Sequence, residues 1–93
     1  MTIKKLTAMP YAQAHIEKDD NGNIHLFSYV TLVATLTKSG WLTVFGLYSQ
    51  TTRKHISAFM REYCKPCDYY TAKKCYMDGY RINVRTGEIK EIG

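Results

Sequence analysis

At Ser49 the hydrophobic period of this chain changes from 2 to about 3.6, and that switch restricts the fold more than any other feature. Before it, residues 30–37 alternate. Val30, Leu32, Ala34 and Leu36 fall on one face, and Thr31, Val33, Thr35 and Thr37 on the other. Lys38-Ser39-Gly40 predicts a tight turn, and residues 41–48 return with β-branched and aromatic side chains. These two runs read as adjacent central antiparallel strands. After the switch, Thr52, Ile56, Phe59, Met60 and Tyr63 recur at helical spacing, while Arg53, Lys54, Ser57 and Arg61 occupy the opposite, wet face. Ser49 suits the N-cap, since its hydroxyl accepts from a free N–H of the first turn. Pro66 ends the helix at or before Lys65. Strands followed by one long amphipathic helix define an α+β class. The expectation is an antiparallel sheet of about four to six strands, with the helix of residues 49–63 packed across one face.

The flanking segments extend the sheet. Residues 11–17 and 23–29 surround Lys18-Asp19-Asp20-Asn21-Gly22, and Asn21-Gly22 predicts a type I′ hairpin turn with positive φ at both positions. Pro10 marks a break before the first of these strands. Residues 68–77 read either as a second short helix capped by Asp68 or as an irregular loop. Asp78-Gly79 is a turn. Residues 80–85 alternate, with Ile82 and Val84 opposite Arg81, Asn83 and Arg85, and residues 88–92 return after Thr86-Gly87 as a closing edge hairpin.

Ninety-three residues predict one domain with a modest core and little room for a deep pocket. That argues against a large enzyme and leaves a small nuclease as a remote reading. The net charge is +5 and uneven: residues 1–52 carry +1 and residues 53–93 carry +4. A basic half suits an anionic partner, nucleic acid or an acidic protein surface, and equally describes a solvated basic face. The start of the chain lacks the apolar run of a secretion signal, and residues 30–36 are too short to span a bilayer, so a cytosolic protein without membrane contact is expected. Three cysteines in a reducing compartment argue against a disulfide framework.

Four groups of residues carry possible chemistry. Ser49, Thr51, Thr52 and Arg53 at the helix start suit an anion, or else simply cap their own helix. His55 with Ser57 forms half of the His-x-Ser signature of two-histidine phosphoesterases. His15 and His25 lack the second half, so His55 reads as structural, at the rim between buried stripe and wet face. Cys64 and Cys67 form CxxC, with Cys75 and His55 as further zinc candidates, but one CxxC is a weak metal signal and follows a helix rather than preceding one. No cofactor or metal is expected, and the thiols read as free. Finally, Tyr63, Tyr69, Tyr70, Tyr76 and Tyr80 interleave with Arg61, Lys65, Lys73, Lys74, Arg81 and Arg85. Tyrosines stack on bases and cations track phosphates, while the same residue types anchor protein interfaces.

The stretches Ser28-Tyr29, Thr31-Leu32-Val33-Ala34 and Tyr48-Ser49-Gln50-Thr51-Thr52-Arg53-Lys54-His55-Ile56, with Phe59, resemble a family of small phage- and prophage-encoded proteins. Its pattern is SYxTLVA, a short hairpin, then YSxTTxxHIxxFL, and the likeness covers roughly residues 24–63. Met60 stands where leucine is usual, and the cysteine-bearing tail lies outside the pattern. The resemblance implies a mobile-element origin, a small α+β domain, a bacterial host cytoplasm and no assigned chemistry. With the basic, tyrosine-rich surface, it leads to the expectation of a non-enzymatic inhibitor of a host defence system. An anti-CRISPR protein contacting a CRISPR effector is the concrete case. The alternative is a nucleic-acid-binding accessory protein. The partner or anion-binding residues expected are Ser49, Thr51, Arg53, Lys54, His55, Arg61, Tyr69, Tyr70, Lys73, Lys74, Tyr76, Arg81 and Arg85.

Overall fold

A computed structural model describes residues 2–6, 13–46, 49–65 and 67–91. It contains β1 (Thr2–Lys4), β2 (Ala14–Lys18), β3 (Ile24–Ser28), β4 (Thr31–Leu36), β5 (Trp41–Val44), α1 (Gln50–Tyr63), α2 (Tyr69–Asp78), β6 (Tyr80–Asn83) and β7 (Ile89–Glu91). The strands form one sheet in sequence order, every neighbouring pair antiparallel. The α+β expectation therefore holds, with seven strands rather than four to six. The additional short strand β1 opens one edge, and β7 of the closing hairpin forms the other. The expected break at Pro10 and the predicted strand residues Tyr11, Ala12, Leu47, Tyr48 and Ile92 lie outside the described residues.

Both early hairpins use the same turn. Gly22 N–H donates to the Asp19 carbonyl at 3.1 Å, and Asp19 N–H donates to the Asn23 carbonyl at 3.0 Å. Gly40 N–H donates to the Thr37 carbonyl at 2.9 Å, and Thr37 N–H to the Trp41 carbonyl at 2.8 Å. Gly22 and Gly40 take the positive φ, +86° and +101°, whereas Asn21 does not. The type I′ turn expected at Asn21-Gly22 is thus replaced by a type I turn with a left-handed glycine behind it. The Asp19 carboxylate favours this form, accepting the backbone N–H groups of Asn21 and Asn23 at 2.9 Å each.

The alternation of residues 30–37 is also broken. Leu26 pairs with Ala34 but Phe27 pairs with Leu32, so Val33 is an extra residue opposite β3. This bulge reverses the faces on either side of it. Val33, Ala34 and Leu36 are buried, Leu32 is only half-buried, and Val30 is 93% exposed in the β3–β4 turn. Val30 and Leu32 are therefore not in the core as the alternation predicted.

The helices occupy one side of the sheet. Ala14, Ile16, Leu26, Ala34, Leu36, Leu42 and Val44 meet Ile56, Ala58, Phe59 and Met60 of α1 and Ala72 of α2 in one cluster. Residues 68–77 resolve as the second helix: Asp68 caps it, accepting from Thr71 N–H at 3.2 Å, and left-handed Gly79 closes it. Asn83, expected on a wet face, is buried because two turns converge on it. Its side-chain Oδ1 accepts from Arg85 N–H at 2.9 Å and Thr86 N–H at 3.1 Å, and its Nδ2 donates to the Ser39 carbonyl at 3.2 Å.

Phe59 is completely buried at the centre of the α1–sheet seam. Phe59→Ala is expected to lower the unfolding free energy by about 3–5 kcal/mol, read from denaturant melts. A loss below about 1 kcal/mol would contradict its place in the core.

Candidate functional site

Two clefts flank the first turns of α1, and they divide residues that sequence reading had grouped together. Ser49 caps the helix: its Oγ accepts from Thr52 N–H at 3.1 Å, and its carbonyl accepts from Arg53 N–H at 3.0 Å. Thr52 turns inward, its Oγ1 lying 3.2 Å from Ser49 Oγ and 3.3 Å from Ser28 Oγ. Ser28 Oγ in turn lies 2.8 Å from His55 Nδ1. The result is a hydroxyl chain from the helix cap to a buried imidazole. A cleft of about 330 Å³ lined by Ser28, Tyr29, Thr31, Ser49 and Thr52 opens beside it. Tyr29 roofs this region from the two-residue turn after β3, in the left-handed conformation at φ +58°. Its ring centroid lies 6.2 Å from that of His55. Such a backbone costs a non-glycine residue roughly 1–2 kcal/mol.

His55 is 1% exposed, not at the helix rim as expected. Burial, and secondarily the positive charge of Lys5, holds its pKa below the ordinary histidine value of 6.5. The imidazole is therefore neutral in the fold near neutral pH. It serves as a structural pin between α1 and β3, with its Nδ1 hydrogen-bonded to Ser28. Thr51 points to solvent and joins neither cleft.

On the other flank of α1, a cleft of about 320 Å³ is lined by Gln50, Arg53, Lys54, Ser57, Tyr69 and Lys73. Four residues expected at a binding site, two on each helix, are thereby brought to one place. The reason is geometric. Burying Ile56 and Phe59 forces Arg53 and Lys54 outward, and burying Ala72 and Cys75 swings Tyr69 and Lys73 toward α1. Among the described residues no carboxylate lines this cleft. Among the described residues Arg53, Lys54 and Lys73 make no ion pair. Tyr70 meets Tyr69 edge-on at 5.8 Å and is 74% exposed, with Tyr76 at 39%. Lys74 and Arg61 are also exposed on this helical layer. From Gln50 to Asp78 six cations face three acids, so the layer is basic as a whole. Arg81 and Arg85 do not join it. Arg81 alternates with core-packed Ile82 and so lies on the sheet face away from the helices, and the Arg85 stem covers the Gly40 turn. The cleft residues Gln50 and Ser57 were not anticipated as site residues. They carry no charge signal, and only the approach of α2 makes them part of a wall.

The cysteines are packing residues. Cys64 is fully buried, Cys75 is 1% exposed and Cys67 is half-buried, all as free thiols. Burial, with the neighbouring Cys67 as a second contribution, pushes Cys64 up to about 12 and Cys75 up to about 11. Thiols so raised are protonated at neutral pH and are poor nucleophiles. Among the described residues no group of three or more His, Cys, Asp or Glu is placed to hold a metal ion. The zinc candidates Cys64, Cys67, Cys75 and His55 are therefore not assembled into a site, since His55 is directed at Ser28 instead.

Fold and surface define a two-layer α+β protein: a seven-stranded antiparallel sheet under a pair of helices whose outer side is basic. The chain belongs to a family of unknown function, DUF8033, whose family model matches residues 1–77. That match extends beyond both ends of the segment 24–63 and includes both cleft-forming helices up to Met77. Comparison with curated proteins and with solved structures found no match. No described helix is long and apolar enough to cross a membrane.

Because the folded pKa of His55 lies below the unfolded value, the unfolded chain takes up its proton first as pH falls. The contribution of neutral His55 is present above about pH 6.5 and lost as pH drops toward the folded pKa. Unfolding free energy measured from pH 7.5 downward should decline, by at most about 1.4 kcal/mol per pH unit for this group, and His55→Gln should flatten the decline. An unchanged profile in His55→Gln would contradict the assignment. Ser28→Ala, which removes the partner of the buried ring, is expected to cost about 1–3 kcal/mol in denaturant melts.

Proposed function

We propose that the chain is a non-enzymatic binding protein of phage or prophage origin that inhibits a host defence system in the bacterial cytoplasm. Its basic helical layer docks on an acidic surface of a defence protein, such as a CRISPR effector. The observation that supports this reading is the convergence of Arg53, Lys54, Tyr69 and Lys73 around one cleft that, among the described residues, no carboxylate lines. Arginine and tyrosine are favoured anchors of protein interfaces, and charge complementarity steers such partners together. The sign of the charge narrows the mode. Nucleic-acid channels of effectors are themselves positive, so a basic face is repelled by them and does not plug them as a nucleic-acid mimic.

A catalytic reading has less support. Ser28 and His55 have the spacing of a nucleophile and its base, but they are only 3% and 1% exposed. Ser28 lines the first cleft, but the imidazole behind it is outside that lining and covered from solvent. One observation favours nucleic acid as the second partner class: Tyr69, in edge-on contact with Tyr70, lines the cleft with three cations, and bases stack on aromatic rings while phosphates meet cations.

The two readings separate on one preparation. Arg53→Glu/Lys54→Glu changes exposed side chains and should leave the thermal midpoint nearly unchanged. With a purified CRISPR effector, the unmodified protein is expected to bind and to suppress target cleavage, and the double variant to lose about tenfold or more in affinity. Binding of random-sequence single strands that falls with salt, at a log–log slope of about −2 for three phosphate contacts, would favour the nucleic-acid reading. Equal effector inhibition by the double variant would contradict docking through this face.

A further inference from the structure

We infer that the α1–α2 cleft is a site for one nucleoside phosphate unit, its phosphate held by Arg53, Lys54 and Lys73 and its base placed against the Tyr69–Tyr70 pair. This rests on the preceding reading only in taking that cleft as the binding site, since the ligand is a small anion rather than a protein surface. The cleft volume of about 320 Å³ sits at the lower end of the roughly 300–1,000 Å³ usual for small-molecule sites. It fits one compact ligand and not a long peptide.

The lining supplies the phosphate contacts, and Tyr70, just outside it, extends the aromatic wall that Tyr69 begins. Arg53 offers a planar guanidinium fork suited to phosphate oxygens, and Lys54 and Lys73 add point charges from two different helices. A simple anion-binding patch requires nothing more, so the remaining lining is informative. Gln50 brings an amide able to both donate and accept, which suits a base edge. Ser57 brings a hydroxyl on the α1 wall, which suits a sugar or phosphate oxygen. Tyr69 forms part of the opposite wall, and Tyr70, edge-on to it at 5.8 Å and 74% exposed, leaves an aromatic face open to solvent. The nearest N-cap carboxylate, Asp68, is occupied by Thr71 N–H at 3.2 Å and Thr71 Oγ1 at 3.4 Å. It lies outside the lining.

The test is isothermal titration of the full chain with three probes: inorganic phosphate, adenosine 5′-monophosphate and a six-nucleotide oligo(dT). The monophosphate is expected to bind about tenfold tighter than phosphate, the increment that one base–aromatic contact supplies. Tyr70→Ala, at a residue exposed enough to spare the fold, should reduce the monophosphate to the affinity of phosphate and leave phosphate binding unchanged. Arg53→Gln/Lys54→Gln should abolish both. If oligo(dT) binds no tighter than the monophosphate, the unit is a free nucleotide. If it binds tighter and loses the same increment in Tyr70→Ala, the unit belongs to a strand. Equal affinity for phosphate and monophosphate, or binding indifferent to Tyr70→Ala, would overturn the inference. Either result would leave effector binding through the same face standing or falling on its own measurement.

Discussion

The seam between α1 and the sheet is the interaction on which the rest of this structure depends. One side of a seven-stranded sheet presents Leu26, Ala34, Leu36 and Leu42, and α1 covers it with Ile56, Ala58, Phe59 and Met60. Burying each large side chain contributes roughly 1.5–3 kcal/mol before entropy is counted. That burial also fixes the rotation of the helix. Once the apolar stripe is inside, Arg53, Lys54 and Arg61 have only the outer side available, and the basic surface is a consequence of the packing. The Ser28–His55 bond adds orientation to the same seam, because a buried imbalance at either atom is costly. Hydrophobic burial is tolerant of sliding, whereas a buried polar pair matches at one register only.

Local signals were legible from the residues alone, and the reason is that their causes are local. The period switch at Ser49, its N-cap, the wet face of α1 and the Gly40 turn depend on neighbours within a few positions. Features decided by distant partners were not. In residues 30–37 Val33 is the one apolar residue on the threonine face, a hint of the interruption that does not by itself fix which residue is extra. The bulge exists because β3 pairs with both sides of it. Asn21-Gly22 carries a hairpin signal, yet the Asp19 carboxylate selects a different turn by capturing two backbone N–H groups. Asn83 looked wet by alternation and is buried by two turns that only the folded hairpins bring together.

The candidate site shows the same division. Arg53, Lys54, Tyr69 and Lys73 could each be named as surface binders from type and spacing, but their meeting depends on α2 crossing beside the first turns of α1. Whether residues 68–77 form a helix was the open question in the sequence, and Asp68 and Gly79 resolve it as a capped helix. His55 was recognisable as a polar residue beside an apolar stripe, but its partner lies 27 positions earlier, in another strand. Arg81 and Arg85 share the composition of the site without its location, since strand alternation and a turn direct them elsewhere. Membership of a family of unknown function places α1 and the cleft-lining residues of α2 within the matched segment and leaves the closing hairpin outside it.

The central claim is that α1 is locked to the sheet along one face, so that the opposite face is permanently presented. Native-state hydrogen exchange across residues 52–63 measures that lock directly. The account predicts that the amides of Ile56, Phe59 and Met60 exchange only through global unfolding, with protection matching the free energy from denaturant melts. Exchange of these amides as fast as in an isolated peptide, while the strand amides stay protected, would show a helix that is not seated and would contradict it.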